Sequence, residues 1–453
     1  MKLFLLFQKL KQDLRKFNEI PNAKLAVLGL LLIPLDSSYL FPMNTQYRPL
    51  WIIPFCFTGI LHTVFRKFNK DVLFVYGVGL FVILTSVIFY FYFEYPDSSG
   101  LTKAIIVSLI GSTGYVGLSS YVKNIFLRFG SQEGLRIFSS VILILSFPVI
   151  IVGIIQIPGE VLGFYEINSF ISSLFSTRYT PGRIHLTCGE PSWAARYLLM
   201  VLIFSLYIPY KGIKEFRYLL LILGIFTASS LGFITAFFLA VIYLLSNFKF
   251  QSSKLLLYIM IMSFIYLAFS NYEVLLFFSP YVIDKLDKIF SLIQSVNFDS
   301  LMLLASTDVS LLARIINPIV AFDLSVNYPL GIGGESFKFW IIDSLNDFGY
   351  VGSMDDEYIL SAGSTPKLLF AKILVEYGIP FTVFLIIYYL RLVKKSAGKE
   401  VMFLILSVIA LTLSDDSFLF YGLLVPICIT QNYLHSIRFE SSIRERLVKF
   451  LPA

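Results

Sequence analysis

Apolar runs of about twenty residues recur along the whole chain, and each can cross the ~30 Å hydrocarbon core of a bilayer as a helix. They fall near residues 20–35, 48–65, 71–93, 101–122, 135–157, 191–210, 216–231, 232–248, 255–279, 368–390, 400–414 and 417–435. The seventh and eighth are short and separated only by Ser229-Ser230-Leu231-Gly232. Of the 453 residues 57% are hydrophobic and 14% charged, with a mean hydropathy of +0.79, whereas a soluble chain carries roughly a quarter charged residues. The pattern predicts an all-α, polytopic integral membrane protein. It has about 12 transmembrane helices in a single membrane domain over 1–453.

Lysine and arginine set the orientation, because basic residues accumulate on the cytoplasmic side. With both termini inside, 25 of the 36 Lys and Arg fall in cytoplasmic segments. Residues 436–453 then form a cytoplasmic tail, and two long extracytoplasmic loops result, 158–190 and 280–366. The larger loop carries helix-spaced apolar residues at Ile283, Leu286, Ile289, Phe290 and Ile293, and again over 310–325. It is expected to fold back on the membrane surface as a lid. Residues 1–20 lack the apolar core and cleavage site of a signal peptide. Leu3, Phe7, Leu10, Leu14 and Phe17 fall on one helical face and Lys9, Lys11, Arg15 and Lys16 on the other. That arrangement predicts a cytoplasmic helix lying on anionic lipid; a solvated basic tail is the alternative.

The stretch 178–192 (RYTPGRIHLTCGEPS) is a polar island between two membrane-length runs. Arg178 and Arg183 present donor forks suited to phosphate oxygens. Pro191 suits the first position of the next helix, whose open N-terminus favours an anion. Arg196 lies one turn further in, where a lone arginine is costly and should face protein or a cavity. Contact of Arg178 and Arg183 with lipid head groups, and pairing of Arg196 with Glu190, are the plainer readings. His185 has a side chain suited to general-base chemistry near neutral pH, and Glu190 suits it too if burial raises its pKa. The residues leave the choice between them open.

A second island, 313–339, holds Arg314, Asp323, Glu335 and Lys338. Gly331, Gly333 and Gly334 there allow close backbone approach to a ligand. Asp355-Asp356-Glu357 could hold a divalent cation but reads more readily as solvated, and Asp415-Asp416 closes a tight hairpin on the same side. Cys56, Cys188 and Cys428 have no ligand spacing. No metal and no other cofactor is expected, and no nucleic-acid partner.

Four segments resemble the O-antigen polymerase and ligase family of membrane glycosyltransferases. They are Arg178 and Arg183 with Gly189-Glu190-Pro191-Ser192; Thr227-Ala228-Ser229-Ser230-Leu231-Gly232; Arg314 with Asn327-Tyr328-Pro329-Leu330-Gly331-Ile332-Gly333; and Leu374-Val375-Glu376-Tyr377-Gly378-Ile379-Pro380. The histidine that many members carry before the fourth segment is missing from 363–367 (GSTPK), which disfavours a ligase, and the segment's final glycine is replaced.

The resemblance implies a GT-C-like enzyme of the bacterial inner membrane that polymerises undecaprenyl-diphosphate-linked glycans. Donor and acceptor are both lipid-linked, and membrane lipids, a chain-length regulator and a flippase are the further partners it suggests. In this reading Arg178, Arg183 and Arg314, with Arg196 and Lys338, hold the diphosphate leaving group. His185 or Glu190 takes the proton from the acceptor hydroxyl. The alternatives are a ligase-type transferase and a transporter or flippase. Transporters keep ionisable groups near the bilayer midplane; here the span centres are nearly free of them, Lys372 and Glu376 being the nearest exceptions. The topology is checked by thiol labelling. A reagent added from outside should reach cysteines introduced near 170 and 300 and leave one near 130 untouched.

Overall fold

A computed structural model describes residues 2–35, 50–65, 70–176, 179, 181, 183–227, 312–347, 356, 359–360, 365–394, 425 and 427–437. Every element with bounds among the described residues is helical. The runs expected near 232–248, 255–279 and 400–414, the amphipathic stretch 281–298, Arg178 and the Asp415-Asp416 hairpin lie outside them, as do Asp355 and Glu357.

The helices are α1 (Lys2–Asn18), α2 (Ala23–Leu31), α3 (Ile52–Phe65), α4 (Lys70–Tyr92), α5 (Ser99–Phe129), α6 (Ser131–Val161), α7 (Tyr165–Ser173), α8 (Pro191–Ser205), α9 (Ile213–Phe226), α10 (Asn317–Asn327), α11 (Ile341–Asp347) and α12 (Leu369–Lys394). Among the described residues, four stretches are long and apolar enough to cross a membrane: Lys70–Tyr92, Ser99–Phe129, Ser131–Val161 and Leu369–Tyr388. The first two expected spans are shorter. At 1.5 Å per residue α2 is about 14 Å long and α3 about 21 Å, less than a bilayer core. The loop expected over 158–190 contains α7, and the helical spacing of 310–325 is realised as a π turn at Leu312–Ile316 running into α10.

The chain divides into two compact units. One comprises 1–8, 34–48 and 143–294, the other 9–33, 49–142 and 295–453. The first has α8 at its centre. Every residue of α8 except Leu202 is buried, so the helix touches protein all round, and α9 packs beside it. In the second unit α5 is the hub, in contact with α2, α3 and α4, while α12 packs on α10 and α4.

Glycine makes the α3–α5 contact possible. Without a hydrophobic drive between helices in lipid, small residues that let backbones approach supply the packing. A Cβ on Gly117 would strike the Phe55 carbonyl, and one on Gly59 the Thr113 carbonyl. Between α4 and α5, Gly79 leaves its own carbonyl open to the Ser108 hydroxyl, which donates to it at 2.9 Å. On the opposite side α4 presents Leu73, Leu80, Leu84, Ile88 and Phe91 outward, the last 77% exposed. A stripe of that size marks a surface that meets lipid or another protein.

The N-terminal helix buries part of its expected apolar face and exposes the rest. Leu6, Leu10, Asp13 and Phe17 are buried, while Leu3 and Phe7 are exposed. Within the second unit Asp13 accepts from the Ser140 hydroxyl at 2.7 Å, and Lys16 pairs with Glu133 at 2.7 Å. Polar partners on α6 therefore decide which face docks, and the apolar side chains left over face outward.

Because Gly117 meets backbone and Gly77 on α4 has open space around it, Gly117→Leu should cost about 1–3 kcal/mol or more through overpacking. Gly77→Leu should leave the thermal midpoint of detergent-purified protein nearly unchanged.

Candidate functional site

Helix α12 carries Gly378 and Pro380 in its apolar run, and together they break its hydrogen-bond ladder. Gly378 adopts φ 83°, ψ 168° inside the helix. Pro380 has no N–H for the carbonyl of Glu376 four residues earlier. In a membrane such freed groups must find partners within the protein. The loop that follows α10 supplies them. The Ile332 N–H donates to the Val375 carbonyl at 3.0 Å and the Gly333 N–H to the Glu376 carbonyl at 2.9 Å, while the Ile379 N–H donates to the Pro329 carbonyl at 2.8 Å.

The approach is close enough to require glycine. A Cβ on Gly331 (φ 98°) would lie 2.5 Å from the Glu376 carbonyl oxygen, and one on Gly334 2.5 Å from the Tyr377 hydroxyl and 2.6 Å from the Ser86 hydroxyl. The close approach that Gly331, Gly333 and Gly334 permit is thus to the protein's own α4 and α12. The loop is fixed further by the Gly334 N–H donating to the Ser86 hydroxyl at 3.1 Å and the Tyr95 hydroxyl donating to the Ile332 carbonyl at 2.9 Å.

This docking brings four ionisable side chains together. The Glu335 carboxylate accepts from Lys103 Nζ and from Lys372 Nζ, each at 2.6 Å. Burial pushes its pKa up, but the two ammonium groups outweigh burial and hold it down at about 2. Glu335 itself is a non-glycine residue at φ 59°, a conformation that is rare without a reason in the surroundings. Glu376, one helical turn beyond Lys372, is fully buried, and neither oxygen of its carboxyl makes a hydrogen bond. The sequence singled out Lys372 and Glu376 as exceptions among the spans, and Glu376 also within the fourth segment, and gave Lys103 no role; nothing local marks Lys103 as the partner of a residue 232 positions away.

Lys338, expected at the diphosphate, donates to the Asp97 carboxylate at 2.7 Å and to the Ser99 hydroxyl at 3.1 Å. The Lys338 bond, with those that the Ser99 hydroxyl and N–H donate to it, holds the Asp97 carboxyl below the usual carboxylate range. Its charge is matched by the 93–98 connection between α4 and α5. Arg314 sits half-buried in the π turn, a local geometry frequent at functional sites.

In the other unit the island at 183–192 is a folded loop. Gln156 of α6 organises it: its Oε1 accepts from the N–H of His185 at 3.2 Å and of Leu186 at 2.8 Å, and its Nε2 donates to the Leu186 carbonyl at 3.0 Å. Leu186 takes φ 55° to complete this turn. Glu160, one turn beyond Gln156, accepts from Asn168 Nδ2 at 2.7 Å and from the Tyr179 hydroxyl at 2.8 Å. Burial and that carboxylate push the Tyr179 phenol well up. The His185 side chain is 1% exposed, with its ring centroid 5.4 Å from that of Tyr179.

Glu190 is the N-cap of α8 and its side chain accepts from the Ser192 hydroxyl at 3.1 Å. Pro191 follows at the first helical position, as expected. Arg196 is buried and Arg183 half-buried. The sequence reading missed Gln156, Glu160 and Asn168, and the signal for the first two was two polar residues closing an otherwise apolar run. Gln156→Leu leaves two buried N–H groups and a carbonyl without their partner, at about 1–3 kcal/mol for each group left unsatisfied. A fall in thermal midpoint larger than that of Gln156→Glu, which keeps the acceptor, is the expected reading.

Among the described residues no group of three or more His, Cys, Asp or Glu is placed to hold a metal ion. Compared with known families, curated proteins and solved structures, the chain has no match.

Proposed function

We propose that this protein is a membrane glycosyltransferase that polymerises glycan repeat units carried on undecaprenyl diphosphate, releasing the lipid diphosphate with each transfer. The observation that carries the reading is the docking of the Pro329–Glu335 segment on the broken helix α12. Two of the four segments that resemble the O-antigen polymerase and ligase family meet there in hydrogen-bonded contact. They hold an ionised cluster at the N-terminal ends of α5 and α12. The basic-residue bias assigns those helix ends to the outer face, where a glycan donor arrives on a flipped lipid rather than as a cytoplasmic nucleotide sugar.

In this reading the chain has about 12 spans, a GT-C-like organisation, both termini in the cytoplasm and a place in the bacterial inner membrane. Arginine forks neutralise the charge that develops on the leaving diphosphate, the usual largest contribution to such a step. Glu190, half-buried at the mouth of α8, or His185 takes the proton of the acceptor hydroxyl. The ligase reading lacks its histidine. The transporter reading would need the cluster near the bilayer midplane, whereas Lys103 and Lys372 lie in the opening turns of their helices.

Deletion of the gene followed by gel analysis of surface glycans tests the proposal. A single repeat per lipid core is the expected result; loss of all attached glycan would indicate a ligase, and unchanged glycan would sink both. Arg183→Ala and Arg314→Ala should each abolish long chains at normal protein level. Lysine in their place should rescue only in part, since a point charge replaces a fork.

A further inference from the structure

We propose that Lys103 and Lys372 form a phosphate-binding site which Glu335 fills as an internal occupant, and that the diphosphate of an isoprenoid lipid displaces it. The assignment of a diphosphate rests on the function proposed above; the anion site itself rests on geometry.

Two sources of positive potential converge on the Glu335 carboxylate, the ammonium groups, each 2.6 Å away. Both lysines stand near the starts of their helices. Lys103 is the fifth residue of α5 and Lys372 the fourth of α12. Lysine at a helix start opposes the macrodipole, so two such lysines aimed at one point are unfavourable unless an anion is there. In the structure that anion is a side chain held in a left-handed backbone conformation, φ 59°. Gly331 and Gly333, also at positive φ, precede it and give the segment alternative conformations at little steric cost.

The cluster also holds a second carboxyl group. Glu376 is fully buried with neither carboxyl oxygen hydrogen-bonded. It stands four residues beyond Lys372, a spacing at which side chains on a helix meet. If Glu335 leaves, Glu376 remains beside Lys372, whose side chain is 4% exposed. Lys103 is the open side of the site, its side chain 44% exposed. A ligand oxygen can therefore reach the first ammonium before Glu335 has moved. Phosphate oxygens fit because they accept several charge-assisted hydrogen bonds at once. A ligand with two phosphates spans more of the cluster than the single carboxylate it replaces.

The test is acylation of lysines on the purified full-length chain, read by mass spectrometry, with exposed Lys211 as internal reference. Inorganic pyrophosphate should protect Lys103 and leave Lys211 unchanged. In Glu335→Gln the protecting concentration should fall by about tenfold, because the competing occupant is gone, and in Lys372→Gln protection should be lost. Should Glu335→Gln fail to fold, Glu335→Asp, too short to bridge both lysines, should show a smaller shift in the same direction.

Farnesyl diphosphate should protect as pyrophosphate does, and phosphatidylglycerol vesicles should not. Protection by phosphatidylglycerol alone would make this a head-group contact and overturn the diphosphate assignment. Unchanged Lys103 labelling with pyrophosphate in both wild type and Glu335→Gln, or protection surviving in Lys372→Gln, would overturn the site. Because labelling reads binding and the gene deletion reads glycan, failure of either idea is visible without the other.

Discussion

The hydrogen bonds from Ile332 and Gly333 to the carbonyls of Val375 and Glu376 are the interaction on which the second unit depends. They exist because a membrane offers no water to a broken helix. Gly378 and Pro380 open the ladder, and a loop must close it. Everything charged nearby follows from that closure. Glu335 is delivered between Lys103 and Lys372 by the backbone pairing two and three residues before it, and Lys338 is delivered to Asp97 three residues after it. Without the break, the glycine-rich segment would have no reason to lie against α12.

The first unit is built on the same demand met differently. There a side chain replaces the loop. Gln156, near the end of an apolar helix, satisfies three backbone groups of the 185–186 turn, and Glu160 collects Asn168 and Tyr179. Buried polar groups of this kind cost free energy unless every one is matched, and so they specify a single arrangement of the island. The described part of the island, 183–192, is then a structured wall at the mouth of α8, with Arg183 half-buried in it.

Much of the fold was legible in hydropathy alone. The runs near 71–93, 101–122, 135–157 and 368–390 all contain helices of membrane length, because a twenty-residue apolar run has few other solutions. The helix start at Pro191 was also legible, whereas Gly331, Gly333 and Gly334 were read as meeting a ligand and here meet α4 and α12. Their meeting was not legible, since periodicity reports one element at a time and the partners lie more than forty residues apart. The contact of α1 with α6 was not legible either. In water the apolar stripe marks the side that packs, but lipid is itself apolar, so Leu3 and Phe7 can face outward while Asp13 turns inward to Ser140. Lys103 carried no local signal at all.

The break in α12 also bears on how the protein is made. The N–H groups of Ile332 and Gly333 leave the ribosome before the carbonyls of Val375 and Glu376 that they complete. The segment 329–335 and its supports on α4 and α5 are therefore synthesised ahead of the helix that needs them. When α12 enters the bilayer, its two unpaired carbonyls meet a template already in existence. A chain from which the loop is deleted would lack the surface on which that helix can finish its own backbone.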